Sequence, residues 1–136
     1  MTEAAPNAPK RVLFVCAENS NRSQMAEAFA RMLGGGRVEA HSAGSRPLGR
    51  VNPKAIESMR ERGYELTGHK SKGLAEVPAE VDIVVGMGCG DEGCPLVRAG
   101  RREEWAIPDP KDLPPERFRE VRDLIECRVK ELLATL

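Results

Sequence analysis

Two residues with complementary chemistry lie close together near the start of the chain, Cys16 and Arg22, separated by five residues. A guanidinium presents a planar fork that matches two oxygens of a tetrahedral oxyanion, and backbone amides of a tight turn can converge on the same anion. The positive field of such a loop favours a thiolate, which is a nucleophile. We therefore predict that the loop binds a phosphate-like oxyanion and that Cys16 attacks its central atom. The predicted binding residues are Ala17, Glu18, Asn19, Ser20, Asn21, Arg22 and Ser23.

The alternative for this pair is purely structural. Buried, chemically inert cysteines are common in protein cores. An arginine on a helix is usually a surface charge, and short motifs also match by chance. The position of the pair between a predicted strand and a predicted helix favours the functional interpretation, because a helix N-terminus is itself a site for anions.

The elements that flank the loop follow from local sequence patterns. Residues 11–15 form a short apolar run rich in β-branched side chains, which is typical of a buried strand. Over residues 22–33 the apolar side chains recur at helical spacing, as at Met25 and Phe29, and Gly34 follows as a natural stop. We predict a strand that ends just before Cys16 and a helix that begins at Arg22.

The rest of the chain alternates between strands and helices in the same way. The further predicted strands are residues 37–41, 81–85 and 104–107, and helices are predicted to begin at Asn52-Pro53 and near Pro115. Alternation with nearly continuous apolar strands predicts an α/β fold with a four-stranded parallel sheet and helices on both faces.

Such sheets bind their ligands beyond the carboxyl ends of the strands. The loops at those ends carry Cys16, then Cys89 and Cys94, and then Asp109. We therefore expect these four residues to lie at one rim of the sheet.

Composition limits the classes of function. The chain has 136 residues, with 21 Lys and Arg against 21 Asp and Glu, and so lacks the basic surplus of nucleic-acid-binding domains. No apolar run approaches the roughly 18 residues of a membrane-spanning helix, and residues 1–10 lack the apolar core of a signal peptide. We expect a cytoplasmic protein without nucleic-acid or membrane partners, with a flexible tail over residues 1–10 and one domain over residues 11–136.

The chain has four cysteines, too few for a disulfide scaffold. In a reducing compartment, cysteines are more often catalytic than structural. Cys89 and Cys94 lie in a glycine-rich loop that must fold back on itself if they are to form a disulfide. Cys127 falls on the polar half of the last predicted helix and is expected to take no part in catalysis or in a disulfide.

Half of a zinc site is the alternative for Cys89 and Cys94. A structural zinc ion needs four ligands, usually in two close pairs, and the sequence offers no second pair. His41 and His69 are isolated and are expected to be structural. We predict neither a metal ion nor an organic cofactor.

The segment CAENSNRSQMAE, residues 16–27, resembles the phosphate-binding loop of the low-molecular-weight tyrosine phosphatase superfamily. Further matches resemble its arsenate reductase branch, and its thioredoxin-coupled type in particular. They are Ser42-Ala-Gly44, Val51-Asn-Pro-Lys-Ala-Ile56, His69-Lys-Ser71, Cys89, Cys94-Pro95, Trp105 and Asp109-Pro110. The similarity runs from about Arg11 to the C-terminus. The fold that it implies agrees with the predicted parallel sheet.

The resemblance also implies a role for each rim residue. In the phosphatases, the loop cysteine attacks phosphorus, the loop arginine holds the oxyanion, and an aspartate before proline protonates the leaving group. In the reductases, the same cysteine attacks arsenic, and a second cysteine attacks that sulfur and expels arsenite. In thioredoxin-coupled members, a third cysteine then attacks the second and takes over the disulfide. On this chain these roles fall to Cys16, Arg22, Asp109, Cys89 and Cys94, in that order.

Two departures from the family concern the cysteines. Asn21 stands where many thioredoxin-coupled members carry a further cysteine. The spacing from Cys89 to Cys94 is shorter than in well-known thioredoxin-coupled members. The resemblance therefore leaves the reductant open between thioredoxin, glutathione with glutaredoxin, and another small thiol.

Two further departures concern cations and substrate size. Some relatives hold potassium beside the loop; Asn19, Glu27 and Ser42 match that site, but Lys72 stands near the place of its aspartate. We expect the Lys72 ammonium there and no potassium ion. The segment 109–112, with sequence DPKD, lacks the aromatic side chains that grip phenyl phosphate in the phosphatases.

Three functions remain in order of preference. The first is an arsenate reductase that takes electrons from thioredoxin or another thiol donor. The second is a phosphatase that hydrolyses phosphomonoesters through a phosphocysteine. The third is a non-catalytic module that binds oxyanions or senses redox state.

Overall fold

The alternation of strands and helices along the chain builds a single parallel sheet in a computed structural model, which describes residues 9–87 and 97–136. The regular elements are β1 (Lys10–Cys16), α1 (Arg22–Gly34), β2 (Val38–Gly44), α2 (Pro53–Arg60), β3 (Glu80–Gly86), β4 (Arg98–Glu104) and α3 (Pro115–Leu133). Of the predicted tail, residues 1–8 lie outside the described ranges, and Lys10 opens β1. None of the helices in the described residues is long and apolar enough to cross a membrane.

The four strands are all parallel and lie in the order β2-β1-β3-β4. The predicted four-stranded parallel sheet is therefore confirmed. The apolar run of β1 places it in the centre, where both of its faces are buried. In the register of the sheet, Cys16 pairs with Gly44 of β2, and Val15 pairs with Gly86 of β3. The carboxyl ends of these three strands thus lie side by side around Cys16.

The two faces of the sheet carry separate apolar clusters, because successive side chains of a strand point to opposite faces. Val12 and Phe14 belong to the larger cluster, to which α1, α2 and α3 contribute. Leu13 and Val15 belong to a smaller cluster, which Leu74 and its neighbours cover. Leu74 lies in a short 3-10 helix, Leu74–Glu76. Within the described residues, the larger core therefore lies between the sheet and the three α-helices.

The helix starts follow their predicted signals. The helix α1 begins at Arg22 and extends to Gly34. Asn52 caps α2, because its side-chain oxygen accepts a hydrogen bond from the Lys54 amide at 3.0 Å, with Pro53 in the first helical position. The last helix begins at Pro115. Helical periodicity was sufficient to predict the starts of α1 and α3, and capping chemistry was sufficient to predict the start of α2.

The fourth strand differs from its prediction. We predicted residues 104–107, whereas β4 spans Arg98–Glu104, with the sequence RAGRREE and alternating exposure. An edge strand pairs through its backbone on one side only and tolerates charged side chains on its open edge. Trp105 is buried beyond the end of the strand and packs on Phe14 with ring centroids 5.9 Å apart. The buried residues Trp105 and Ile107 therefore belong to the core, although the Trp105 amide still donates to the Gly86 carbonyl of β3 at 2.8 Å.

Candidate active site

The loop between β1 and α1 is held from one side by the segment 45–52, which runs beside it. Backbone N–H groups of that segment donate to the carbonyl oxygens of the loop. The four bonds are Ser45 N to Cys16 O at 3.2 Å, Arg46 N to Ala17 O at 2.7 Å, Leu48 N to Glu18 O at 2.9 Å and Asn52 N to Ser20 O at 3.1 Å. The loop therefore turns these carbonyl oxygens away from its concave side.

The backbone N–H groups of the same loop behave differently. Within residues 9–87 and 97–136, none of the N–H groups from residue 17 to residue 24 donates a hydrogen bond, and the first helical bond runs from Met25 N to Asn21 O. Asn19 has a φ of 50°, a left-handed conformation that turns the chain sharply. Backbone N–H groups at a helix N-terminus that have no protein acceptor form a binding site for an anion.

Cys16 lies at the base of this loop, with 3 % of its surface exposed, and its sulfur is 2.9 Å from the Ser23 hydroxyl. The Asn19 amide nitrogen donates to Ser23 Oγ at 2.8 Å and to Ser42 Oγ at 3.0 Å, and Ser42 donates to Glu27 at 2.6 Å. The Ser23 hydrogen is therefore not used by Asn19, and when Cys16 is a thiolate, which can only accept, Ser23 donates that hydrogen to the sulfur. A hydroxyl donor stabilises a thiolate.

Buried behind the loop, the Glu27 carboxylate is compensated by cations. Arg31 pairs with it at 2.7 Å, and the Lys72 ammonium lies 3.7 Å from Glu27 Oε1 and 3.4 Å from Ser42 Oγ. Buried charges need such partners, because desolvation is expensive. The ammonium of Lys72 thus lies beside the residues that the resemblance associates with potassium.

The two histidines lie in different surroundings. His41 Nε2 is hydrogen-bonded to Glu39 Oε2 at 2.8 Å, and both residues lie on β2. His69 lies behind the loop, with Nδ1 at 3.0 Å from Gln24 Oε1 and Nε2 at 2.8 Å from the Tyr64 hydroxyl. Burial lowers the pKa of His69. The sequence alone did not predict a role for Gln24 or Tyr64, because a single glutamine or tyrosine belongs to no motif with a recognisable spacing.

Arg22 and Asp109, which are far apart in the sequence, come together at the rim. Arg22 is largely buried; its Nη1 donates to the Ile107 carbonyl at 3.1 Å, and its Nη2 lies 3.8 Å from Asp109 Oδ2. The Asp109 side chain is about half exposed, and its Oδ1 accepts from the Lys111 amide at 3.0 Å. The structure therefore brings the predicted oxyanion ligand and the predicted acid into one site.

Lys111 lies in the segment after Asp109-Pro110, where the resemblance to the phosphatases would imply an aromatic side chain. Its ammonium lies 3.5 Å from Glu18 Oε2, so an ion pair joins the segment after Asp109 to the loop between β1 and α1, the anion loop. Both side chains are partly exposed, and such pairs contribute little stability. Among residues 9–87 and 97–136, the rim thus presents the charged groups of Lys111 and Glu18 near Asp109.

The predicted redox pair, Cys89 and Cys94, lies outside the described residues, as do the glycines around it. The strand before that loop is described: Met87 N donates to the carbonyl of Val15, the residue before Cys16, at 2.8 Å. Cys127 is exposed on α3 and is a free thiol. In the described parts of the chain, no group of three or more His, Cys, Asp or Glu side chains could hold a metal ion.

Gly44 lies against the anion loop so closely that a side chain would disturb it. A Cβ there would meet Ala17 O at 2.6 Å and Asn19 N at 2.9 Å, both of them backbone atoms. We expect Gly44→Ala to lower the free energy of unfolding by about 1–3 kcal/mol, as overpacking does elsewhere, and to weaken phosphate binding. Urea unfolding and phosphate titration measure both effects. The control is Gly36→Ala, where a Cβ meets nothing within 4 Å; equal losses in the two variants would contradict the prediction.

Comparison with known proteins agrees with this geometry. The family model described as low molecular weight phosphotyrosine protein phosphatase matches residues 11–136. A glutaredoxin arsenate reductase from Synechocystis is 39% identical over 130 residues, covering 93% of this chain and 98% of that protein. An arsenate reductase solved in the phosphate-binding state has a TM-score of 0.85 at 40% identity, covering 93% of this chain and 98% of that one.

A thioredoxin-dependent arsenate reductase from Corynebacterium glutamicum is more distant, with a TM-score of 0.73 at 29% identity over 93% of this chain and 61% of its own. The parallel sheet and the loop between a strand-end cysteine and a helix-start arginine define a class of α/β proteins, and one similar member has been solved in a phosphate-binding state. Within that class, the chain belongs to the low molecular weight phosphotyrosine protein phosphatase family.

Proposed function

We propose that the chain is an arsenate reductase, which converts arsenate to arsenite through a cysteine thiolate and an intramolecular disulfide. The observation that carries the proposal is the loop itself. Its carbonyl oxygens point away, its amides make no bond within the described residues, and the Ser23 hydroxyl lies 2.9 Å from the Cys16 sulfur, where it can donate to a thiolate. The thiol relay that the reaction requires fits a cytoplasmic, reducing location and a single catalytic domain over residues 11–136.

The first step joins the substrate to the protein. Arsenate binds to the amides of residues 17–23 and to the guanidinium of Arg22. The Cys16 thiolate attacks arsenic, and an oxygen leaves as water after Asp109 supplies a proton. The position of Asp109 near Arg22 supports this role, because the acid then faces the bound oxyanion. The product is a covalent adduct in which the Cys16 sulfur is bonded to pentavalent arsenic.

The second step reduces arsenic by two electrons. The Cys89 thiolate attacks the Cys16 sulfur, the bond between sulfur and arsenic breaks, and its electron pair leaves with arsenic as arsenite. A disulfide between Cys16 and Cys89 remains. Cys94 then attacks Cys89, which frees the Cys16 thiolate and leaves a disulfide between Cys89 and Cys94. An external dithiol reduces that disulfide and restores the starting state.

The donor is a dithiol protein or a small thiol. The similar proteins do not agree on the electron donor, since one is a glutaredoxin arsenate reductase and another is a thioredoxin-dependent arsenate reductase. We propose thioredoxin as the first candidate, because two cysteines beyond the nucleophile allow the disulfide to be passed outward without a mixed disulfide with glutathione.

The deciding experiment measures arsenite formation from arsenate with each donor in turn: reduced thioredoxin with its reductase, glutathione with glutaredoxin, and a small dithiol. Arsenate-dependent consumption of reducing equivalents with one of them supports the proposal. Steady release of phosphate from an aryl phosphate, unaffected by Cys89→Ser, would instead support the phosphatase. Oxyanion binding without turnover would support a non-catalytic module.

The geometry of the guanidinium gives a further prediction. Arg22→Lys retains the charge and loses the planar fork, so we expect catalytic efficiency to fall about 10²–10³-fold, the loss typical of removing an oxyanion donor. Steady-state kinetics with the active donor measure it. Arg60→Lys is the control, because Arg60 pairs with Glu65 on the surface. Near-normal efficiency in Arg22→Lys would remove Arg22 from the oxyanion site.

A further inference from the structure

Gln24, the third residue of α1, is completely buried, yet its side chain is polar. Its amide nitrogen lies 2.9 Å from Asn19 Oδ1, 3.2 Å from Asn19 O and 3.0 Å from Lys70 O. Its oxygen lies 3.0 Å from His69 Nδ1. A buried amide is tolerated only when its donors and its acceptor are satisfied, and here they are satisfied mainly by residues around the anion loop.

We propose that Gln24 is a positioning residue for the nucleophile: it fixes the orientation of the Asn19 side chain, which in turn directs the Ser23 hydroxyl to the Cys16 sulfur. Gln24 does not touch the sulfur and acts only through these two residues. The inference rests on the proposed function of Cys16 as the attacking thiolate.

The orientation of the Asn19 amide decides where the Ser23 hydrogen points. A Gln24 Nε2 group can only donate, so it holds the oxygen of the Asn19 amide on its own side, where the Lys72 amide also donates to it at 2.8 Å. The Asn19 nitrogen then faces Ser23 and Ser42. If the amide flipped, an oxygen would face the Ser23 hydroxyl and accept the hydrogen that now points to Cys16.

Gln24 also supports the backbone of Asn19. That residue has a φ of 50°, a conformation that costs energy for any residue with a side chain, although asparagine tolerates it better than most. The Gln24 nitrogen reaches the Asn19 carbonyl oxygen as well as the side-chain oxygen. One buried amide thus stabilises both the turn of the loop and the side chain that it carries.

The oxygen end of Gln24 contacts His69. The Gln24 oxygen can only accept, so His69 Nδ1 carries a hydrogen, and Nε2 faces the Tyr64 hydroxyl at 2.8 Å. Burial lowers the pKa of His69, in keeping with a neutral ring that accepts from Tyr64. The backbone oxygens of Asn19 and Lys70 can only accept, so they hold the Gln24 nitrogen on their side and exclude the orientation in which Gln24 would repel Asn19 Oδ1.

The test measures alkylation of Cys16 by iodoacetamide as a function of pH, in the full chain with Cys89→Ser, Cys94→Ser and Cys127→Ser, so that Cys16 is the only thiol. Gln24→Met keeps the length of the side chain and removes its hydrogen bonds. We expect the midpoint of the alkylation profile to rise by about one pH unit, the size expected for weakening a hydrogen bond to a charged group. Ser23→Ala, which removes the donor itself, should move the midpoint in the same direction.

The pair of variants shows whether Gln24 acts through Ser23. In the Ser23→Ala background, Gln24→Met should move the midpoint no further, because the hydroxyl that Gln24 helps to direct is gone. Met25→Ala is the structural control: Met25 is the next residue, is fully buried in the core, and should lower Tm without moving the midpoint.

Gln24→Glu provides a second measurement if Gln24→Met does not fold. A carboxylate at this position keeps the acceptor for His69 and places an acceptor opposite Asn19 Oδ1, so the midpoint should again rise. An unmoved midpoint in the Gln24 variants, an equal shift in Met25→Ala, or an undiminished shift in the Ser23→Ala background would overturn the proposal. Because alkylation needs no arsenate, these results are independent of whether the chain reduces arsenate.

Discussion

Replacing Cys89 by serine is expected to reduce steady-state arsenate reduction to background, while arsenate or phosphate still binds to the loop. Without the Cys89 thiol, the group proposed to attack the Cys16 sulfur is missing, so the adduct does not lose arsenite by the proposed sulfur exchange. Arsenite formation with the active donor measures the loss. Cys127→Ser is the control and should behave like the parent, because Cys127 lies exposed on α3.

The order of the relay follows from trapped disulfides. In Cys94→Ser, a single turnover should leave a disulfide between Cys16 and Cys89, whereas the parent should leave Cys89 joined to Cys94 and Cys16 free. Peptide mapping after one equivalent of arsenate distinguishes these products. A disulfide between Cys16 and Cys94 in the Cys89→Ser variant would reverse the order. Turnover at the parental rate in Cys89→Ser would contradict the relay and favour the phosphatase.

Asp109→Asn is expected to slow the first chemical step about 10²–10⁴-fold, the range found for a positioned general acid. The oxygen that leaves arsenic departs more easily as water, and an amide cannot supply the proton. Asparagine retains the shape of the side chain, so the contact of Arg22 with Ile107 and the binding of phosphate should persist. Single-turnover formation of the adduct, followed separately from phosphate binding, measures the two effects.

Asp112→Asn is the matched control for this experiment, since it removes a neighbouring carboxylate three residues away in the same loop. It should change neither the rate of adduct formation nor the affinity for phosphate. If Asp109→Asn instead loses phosphate binding and retains its single-turnover rate, Asp109 is a structural partner of Arg22 and another group supplies the proton.

Local sequence determined the parts of this protein that depend on neighbouring residues. The end of β1, the start of α1 and the cap of α2 follow from a few adjacent side chains, so the loop from Cys16 to Ser23 could be placed at a strand–helix junction. The alternation of elements also predicted the parallel sheet, because parallel strands need a crossover between them.

Tertiary structure alone decided the parts that depend on residues far apart in the sequence. The segment 45–52 turns the loop carbonyls outward, and Arg22 meets the Ile107 carbonyl across 85 positions of sequence. Gln24 meets His69 across 45 positions. The edge strand β4 likewise pairs with β3 through its backbone, and its mostly charged side chains do not predict a strand. Such contacts arise from the packing of distant segments, and hydrophobic periodicity and capping report only on neighbouring residues.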